Sequence, residues 1–328
     1  GAAGPGQGAT DAPGGSEPSS VPNIGPREEL GSLASEFRFN PRFVQKVDRL
    51  GQRGYEGWRR VRGDGNCFYR AVGFGLLEQL VTAPQQSRAA WAAALGESLG
   101  ALRFEDDSEA EAHRELLASV DRLRRGGGWE APAQAGAEMT ASGILYRSLR
   151  DGSRDTDLAL IRALRHVAAR HLTQRAEDGS ANGGISFDTV CLAQGYAGAR
   201  DFCEKVVLAV GVEAEGVVLQ ALPAALGFGL RVAVLDRAEG AELAFCDYNL
   251  EGPGPGGVPK PTVHVQLRPG HYDLLYLGEA GDPEPPESEE EEPPHRRPPT
   301  LGLDDCHEFA VSKPRDQRRW LHPGGWCL

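Results

Sequence analysis

The stretch GDGNCFYRA occupies residues 63–71 and joins a turn directly to a helix. Glycine, aspartate and asparagine favour turns, and the glycines allow a sharp bend with a close backbone approach. After Cys67, apolar residues recur at helical spacing as far as about Leu80. The free N–H groups at a helix N-terminus stabilise a thiolate and can also bind an oxyanion. The stretch therefore predicts a cysteine nucleophile at Cys67.

A cysteine nucleophile at neutral pH needs a nearby imidazole, and the imidazole needs a group that fixes its tautomer. His271 opens the last predicted strand, and Asp273 lies two residues further on. Because residues i and i+2 of a strand point to the same face, Asp273 is expected to contact the His271 ring. Cys67, His271 and Asp273 are the candidate triad. His264 on the preceding strand is a rival base, but it has no carboxylate two residues away.

Each of these features also has a purely structural interpretation. Cysteine is among the most buried residue types, so Cys67 alone fits a core position. A His-x-Asp pair on a strand fits ordinary hydrogen bonding as well. The two features together, each at the end of an element, favour chemistry. Three further cysteines have no comparable turn before them and are predicted to be core thiols: Cys191, Cys203 and Cys246.

A zinc site near the C-terminus is another alternative. Four residues there belong to types that bind zinc: Cys306, His307, His322 and Cys327. Their spacing matches no common zinc module, and they follow a segment whose composition predicts no fold. Neither a metal nor a cofactor is therefore expected.

Composition narrows the class of partner and the compartment. The chain has 328 residues and a net charge of −12, from 35 basic and 47 acidic side chains, which argues against a nucleic-acid surface. No apolar run approaches the ~18 residues of a membrane helix, so no membrane association is expected. Six cysteines without a C-x-x-C pair favour reduced thiols, and hence the cytoplasm or the nucleus.

The chain divides by composition into four parts. Residues 1–25 are predicted to be a disordered arm, 26–278 a catalytic domain, 279–300 an acidic linker rich in proline and glutamate, and 301–328 an extension of unknown role. Within the domain, periodicity predicts helices first and strands last, an α/β (α+β) arrangement. The predicted helices span 27–37, 41–50, 67–80, 87–102, 107–124, 138–150, 155–175, 201–210 and 217–226, and the predicted strands span 229–235, 243–248, 262–267 and 271–277.

Two longer motifs resemble one family. DGNCFYRA at 64–71 and RPGHYDLLY at 268–276 resemble the nucleophile and histidine motifs of the otubains, a branch of the ovarian-tumour-type cysteine deubiquitinases. DFCE at 201–204 and LQAL at 219–222 resemble otubain segments between them, in the same order. The resemblance implies a papain-like cysteine protease fold, with a helical N-terminal part packed on a small, mostly antiparallel sheet.

The resemblance also implies an activity. Otubains hydrolyse the isopeptide bond after the C-terminal glycine of ubiquitin in polyubiquitin, with a preference for the linkage that marks proteins for the proteasome. Carried onto this chain, Cys67 is the nucleophile, His271 the general base and acid, and Asp273 the orienting carboxylate. The backbone N–H groups of Asp64 and Cys67 form the oxyanion hole.

The expected partners are ubiquitin and polyubiquitin chains. Some otubains also bind charged ubiquitin-conjugating enzymes and block them without catalysis, so the alternative function is a regulator that binds ubiquitin or such an enzyme. The chain departs from the family pattern at residues 213–216, which read EAEG where otubains carry an acidic-x-Asp-His run. The departure concerns ubiquitin contacts rather than the chemistry.

Overall fold

The computed structural model describes residues 21–130, 139–150, 155–177, 186–235 and 242–278. The strands within these ranges are β1 (Ile24–Glu29), β2 (Tyr55–Val61), β3 (Gly229–Val234), β4 (Ala244–Tyr248), β5 (Thr262–Arg268) and β6 (His271–Leu277). The helices are α1 (Leu30–Glu36), α2 (Pro41–Gln52), α3 (Cys67–Thr82), α4 (Gln85–Gly100), α5 (Asp107–Arg124), α6 (Ala141–Arg150), α7 (Thr156–Glu177), α8 (Phe187–Ala193), α9 (Ala199–Phe202) and α10 (Gly216–Leu226). A π-helical turn, Cys203–Val207, follows α9 directly.

The strands form one sheet in the order β1-β2-β6-β5-β3-β4. Only β3 and β5 run parallel; the other neighbouring pairs are antiparallel. The predicted combination of helices with a small, mostly antiparallel sheet is therefore confirmed. Strand β6, which carries the candidate histidine, lies between β2 and β5 and so has a backbone partner on each side.

Helix α3 is the centre of the main core. It packs against α7 on one side and against the sheet on the other. A Cβ atom added at Gly73 would lie 2.8 Å from Leu164 Cδ1 on α7, and one added at Gly75 would lie 2.9 Å from Leu274 Cδ2 on β6. These two glycines thus allow the helix to approach both layers closely, which fixes the start of α3 relative to β6.

A second, smaller core covers the opposite face of the sheet. Helices α1 and α2 pack there around Trp58, which is almost completely buried. The alternation along β6 distributes its side chains between the two cores, with Leu274 in the main core and Leu275 in the smaller one. The central strands are therefore buried on both faces, and packing from both sides fixes the sheet relative to the surrounding helices.

The largest departure from the predicted elements is at the N-terminus. Residues 27–29, predicted to begin a helix, instead form part of β1 and pair with Gly57, Trp58 and Arg59 of β2. Strand β1 begins at Ile24, inside the segment predicted to be a disordered arm, and Ile24 is fully buried. The helix predicted over 201–210 is the short α9 followed by the π-helical turn.

Other predicted segments lie outside the described residues. These are most of the N-terminal arm, the acidic linker 279–300 and the extension 301–328. Across the part of the chain that the structure describes, every helix is too short or too polar to cross a bilayer.

Candidate active site

Cys67 is the first residue of α3, and its position depends on the turn that precedes it. Gly65 has a φ of +78°, in the left-handed region that favours glycine. A Cβ atom added there would lie 1.9 Å from the carbonyl oxygen of Gly211, so no larger residue fits. Asn66 is the N-cap, and Cys67 itself is buried. The predicted junction of a glycine turn with a helix N-terminus is thus present at this cysteine.

His271 lies on the first position of β6 and bonds to Asp273. The distance between His271 Nε2 and Asp273 Oδ1 is 2.9 Å, as the alternation of the strand predicts. Because the carboxylate accepts, Nε2 carries the proton in this bond, which leaves Nδ1 free to interact with the Cys67 thiol. The Cys67 side chain also acts on the ring, because its hydrogen bonding and charge both raise the pKa of His271. Gly63 leaves room beside the ring, since a Cβ there would lie 3.3 Å from Nδ1.

These contacts control the charge of the imidazole. Burial acts most strongly and favours the neutral ring, but hydrogen bonds to Asp273 and Cys67, together with their charges, outweigh it. The net effect raises the pKa of His271 from 6.5 to about 9. The ring is therefore protonated at neutral pH and can donate a proton beside the Cys67 sulfur.

Asp273 is fully buried and accepts four hydrogen bonds. Its Oδ1 accepts from the Val61 amide at 2.8 Å and from His271, while its Oδ2 accepts from Gln266 Nε2 at 3.1 Å and from Arg268. Burial alone would raise the pKa of Asp273, but the bond to His271, the Arg268 charge and the Val61 amide hold it below its usual value. A buried carboxylate with this many donors stays ionised and rigidly oriented.

The rival base faces a different part of the molecule. His264 on β5 bonds through Nδ1 to the Tyr55 hydroxyl at 2.8 Å. Burial, and then the nearby Arg231 charge, lower the pKa of His264 to about 4. A ring that is neutral at physiological pH and engaged with Tyr55 fits a structural role between β5 and β2. The geometry therefore favours His271 over His264.

A buried ion-pair network holds the turn before Cys67. Arg70 on α3 contacts Asp64 with both terminal nitrogens, at 2.8 and 2.9 Å, and contacts Asp157 on α7 through Nε at 3.0 Å. The same guanidinium donates to the Arg62 carbonyl at 3.1 Å. Although burial opposes ionisation of Asp64, its bonds and proximity to Arg70 hold its pKa below the usual value. The turn is therefore tied to both α3 and α7.

One of the two predicted oxyanion donors is occupied in this conformation. The Asp64 amide donates to the carbonyl of Arg62 at 3.2 Å. It can bind an oxyanion only after this peptide turns away from Arg62. Cys67, by contrast, stands at the first helical position, where an N–H group has no partner within the helix.

The remaining candidates do not join this site. Cys191 and Cys203 are buried, and burial is the first cause that raises their pKa values, as expected for core thiols. Cys246 is buried as well, but it is disulfide-bonded, so the prediction of a core thiol at this position is wrong. The four residues considered for zinc lie outside the described residues, and no group of three metal-binding side chains occurs within the described ones.

Comparison with known proteins identifies the family. The family model Peptidase C65 Otubain matches residues 16–277, which is most of the chain. The chain belongs to the otubain family. The predicted family, the papain-like fold and the class of thiol-dependent deubiquitinating hydrolase are thereby confirmed.

Curated relatives agree with this assignment. The OVARIAN TUMOR DOMAIN-containing deubiquitinating enzyme 1 of Arabidopsis thaliana is 28% identical over 275 residues, covering 79% of this chain and 82% of that protein. Ubiquitin thioesterase OTUB1 of Homo sapiens is 26% identical over 260 residues, covering 78% of this chain and 83% of that protein. The similarity thus extends over most of both chains in each case.

Solved structures show the same fold. The h/ceOTUB1–ubiquitin aldehyde–UBCH5B~Ub complex matches with a TM-score of 0.57 at 21% identity, covering 78% of this chain and 90% of that chain. The ceOTUB1 ubiquitin aldehyde UBC13~Ub complex matches with a TM-score of 0.58 at 21% identity, covering 80% and 96%.

Sequence reasoning missed the side chains that support this otubain's candidate triad. Arg70 was visible inside the nucleophile motif, and Gln266 and Arg268 lie close to the histidine motif. Asp157 and Arg165 lie on α7, about 90 residues beyond the nucleophile motif. The only sequence signal for them is that they are charged residues on the face of α7 that is otherwise apolar and buried.

Proposed function

We propose that this otubain hydrolyses isopeptide bonds in polyubiquitin, with Cys67 as nucleophile, His271 as general base and acid, and Asp273 as the carboxylate that orients His271. One observation carries the proposal: a single imidazole bonds to a buried carboxylate, and its pKa is raised by that carboxylate together with the Cys67 side chain. The matched family adds the substrate class, because its members include proteins named as ubiquitin thioesterases. No metal or cofactor is needed for this chemistry.

The proposed reaction has two steps. The Cys67 thiolate attacks the carbonyl carbon of ubiquitin's C-terminal glycine, and the His271 imidazolium gives its proton to the leaving lysine amine. This breaks the isopeptide bond and leaves a thioester on Cys67. In the second step His271 takes a proton from water, whose oxygen attacks the thioester and breaks the carbon–sulfur bond. The thiolate is released, and the new ubiquitin carboxyl group loses its remaining proton to solvent.

The Cys67 and Asp64 amides are proposed to stabilise the oxyanion formed in both steps. The Asp64 amide now bonds to Arg62, so substrate binding must turn this peptide before both donors can act. Oxyanion donors contribute strongly to acyl transfer, commonly about 100-fold or more for one donor. Turning of the Asp64 peptide is therefore proposed as part of substrate activation.

The proposed substrate preference is the proteasome-targeting linkage, and the support for it is the family resemblance of the motifs. We assign residues 24–278 as the catalytic domain, which extends the predicted range 26–278 to include all of β1 and agrees with the matched range 16–277, and leave the segments 279–300 and 301–328 outside it. Ubiquitin substrates, together with the free thiols of Cys67, Cys191 and Cys203, favour the cytoplasm or the nucleus.

A second function is binding of a ubiquitin-conjugating enzyme. Two structures with the same fold contain OTUB1 with ubiquitin aldehyde and a ubiquitin-loaded conjugating enzyme, UBCH5B~Ub or UBC13~Ub. This observation supports a regulator that binds such a complex without cleaving it. The position of His271 between Cys67 and Asp273 favours catalysis as the main role.

Cleavage of a diubiquitin panel that covers every linkage separates the two functions. The wild-type chain is expected to cleave the proteasomal linkage fastest, and Cys67→Ala is expected to abolish cleavage while retaining ubiquitin binding. Cys191→Ala is the matched control, because it removes a buried thiol outside the site, and it should cleave like wild type. Undiminished cleavage by Cys67→Ala would refute the nucleophile, and an inactive wild type that blocks a charged conjugating enzyme would favour the regulator.

A further inference from the structure

Arg165 on α7 is a fully buried cation that the catalytic chemistry does not use. Its guanidinium lies beneath the turn that carries Cys67. One terminal nitrogen donates to Asn66 Oδ1 at 2.8 Å, to the Val212 carbonyl at 2.6 Å and to the Gly65 carbonyl at 3.2 Å. The other donates to the Val207 carbonyl at 2.9 Å. One side chain therefore holds two segments that are far apart in sequence, residues 65–66 and residues 207–212.

The two segments also contact each other directly. The Gly211 amide donates to Asn66 Oδ1 at 2.9 Å, so this oxygen receives hydrogen bonds from both Arg165 and Gly211. The backbone of Gly65 lies against the Gly211 carbonyl without space for a side chain. Arg165 thus stabilises the contact between residues 65–66 and 207–212, and a small shift in this contact would move Asn66, which is next to Cys67.

The cost of burying this charge indicates that its position is functional. Among the described residues, no carboxylate lies within ion-pair distance of Arg165, and neutral carbonyl oxygens together with the Tyr69 ring, 4.1 Å from the guanidinium, surround it. A buried charge without a counter-ion costs several kcal/mol unless hydrogen bonds compensate for it. A purely structural contact at this position would be made more cheaply by an apolar side chain.

The charge also acts on the site itself. Burial lowers the pKa of Arg165 below its usual value, and nearby Tyr69, Asp64 and Cys67 act in the opposite direction. The titratable and charged groups around the sulfur and its turn are His271 and Tyr272 on β6, Arg62 and Asp64 in the turn, Arg70 on α3 and Arg165 on α7.

We propose that Arg165 is a positioning residue that holds Gly65 and Asn66 against the 207–212 segment, and thereby fixes the Cys67 sulfur in its reactive position. The proposal rests on the proposed role of Cys67 as nucleophile. Arg165 does not contact substrate; it acts through the turn. A lysine at this position would retain the charge but would lose the fork that reaches several carbonyls at once.

The test compares Arg165→Met and Arg165→Lys with Arg162→Met. Arg162 is the matched control, because it lies on the same helix and pairs with Glu109 at 2.9 Å instead. Two readouts are measured: kcat and KM on a ubiquitin C-terminal fluorogenic amide, and the rate of Cys67 alkylation by iodoacetamide as a function of pH. The alkylation rate is corrected with each variant in a Cys67→Ala background, and folding is checked by circular dichroism and thermal melting.

Arg165→Met is expected to lower kcat by about 100-fold with little change in KM, because a misplaced nucleophile costs about that factor. Its Cys67 should also be alkylated more slowly than in wild type, because the turn no longer holds the sulfur beside His271. Arg165→Lys should likewise fall below the wild-type kcat and alkylation rate, because it lacks the fork, and Arg162→Met should match wild type in both. A folded Arg165→Met protein with wild-type kcat and alkylation profile would overturn the proposal.

Two further outcomes are decided by the same design. If Arg165→Met does not fold, Arg165→Lys tests the proposal instead. A wild-type kcat in Arg165→Lys would show that the forked guanidinium is not needed. If the wild-type chain does not hydrolyse the ubiquitin amide, the proposed function fails. The alkylation profiles still test the inference in that case, because they need no ubiquitin.

Discussion

Replacing Cys67 by alanine is predicted to lower the pKa of His271 without displacing the ring. In the intact site this pKa is raised from 6.5 to about 9, a change that corresponds to about 3 kcal/mol of preferential stabilisation of the imidazolium. Burial opposes protonation, so the stabilisation comes from Asp273 and Cys67 together. Cys67→Ala removes the smaller of these two contributions and leaves the 2.9 Å bond to Asp273 in place.

The expected size of the change follows from this balance. His271 should titrate about one pH unit lower in Cys67→Ala than in wild type, yet still above 6.5, because Asp273 still favours the charged ring. Asp273→Asn should lower the pKa further than Cys67→Ala, since it removes the larger contribution and leaves burial opposed by Cys67 alone. The predicted order of pKa values is therefore wild type, then Cys67→Ala, then Asp273→Asn.

The assay is an NMR titration of the histidine ring signals between about pH 4 and pH 10, with His271 assigned by its absence in His271→Gln. His264 is an internal control, because its pKa of about 4 depends on burial and Arg231 and should not move in either variant. A wild-type His271 that titrates near 6.5, or one whose pKa is unchanged in Cys67→Ala, would refute the proposed contact between the thiol and the imidazole.

The same shift has a consequence for stability. The folded pKa of His271 is raised above its unfolded value, so the stabilisation is fully present below about pH 6.5 and is lost as the pH rises through about 9. The difference in the free energy of unfolding between wild type and His271→Gln should therefore shrink across this window in urea titrations. An unchanged difference between pH 6.5 and 9 would contradict the assigned pKa.

Two glycine substitutions test the packing that positions the nucleophile. Gly65→Ala should reduce kcat by about 100-fold or more, because its Cβ would lie 1.9 Å from the Gly211 carbonyl oxygen. Gly195→Ala is the control and should retain activity, because Gly195 has a similar positive φ but open space around it. Equal losses of activity in both variants would attribute the effect to backbone strain alone. Gly75→Ala should lower the free energy of unfolding by about 1–3 kcal/mol in urea titrations, because its Cβ would lie 2.9 Å from side chains of β5 and β6. Gly31→Ala is the control and should not destabilise the protein, because no atom lies within 4 Å of its added Cβ. An unchanged free energy of unfolding in Gly75→Ala would show that α3 can move away from the sheet.

The sequence predicted those parts of the site that are determined by residues close together in the chain. The glycine turn and the start of α3 are local features, so the position of Cys67 at a helix N-terminus follows from residues 63–71. The contact between His271 and Asp273 follows from the alternation of a single strand. The periodic pattern also predicted most of the helices and strands β3 to β6, but β1 and β2 precede most of the helices instead of following them.

The parts that could not be predicted depend on contacts between distant segments. Arg165 reaches the turn only because α7 packs against α3, and nothing in the α7 sequence indicates which carbonyl groups it meets. The segment 27–29 was expected to be helical, yet it pairs with β2, because backbone partners on a sheet edge outweigh local helix propensity. The occupied Asp64 amide likewise depends on the local backbone conformation rather than on the motif itself.

The central claim is that Cys67 attacks the C-terminal carbonyl of ubiquitin, and labelling with a ubiquitin that carries a C-terminal electrophile tests it most directly. Intact-mass measurement followed by peptide mapping should find one ubiquitin adduct per chain, located on Cys67, and none in Cys67→Ala. Asp273→Asn should form the same adduct more slowly, because the imidazole is then less well oriented. Labelling at Cys191 or Cys203, or an adduct that persists in Cys67→Ala, would contradict the assignment of the nucleophile.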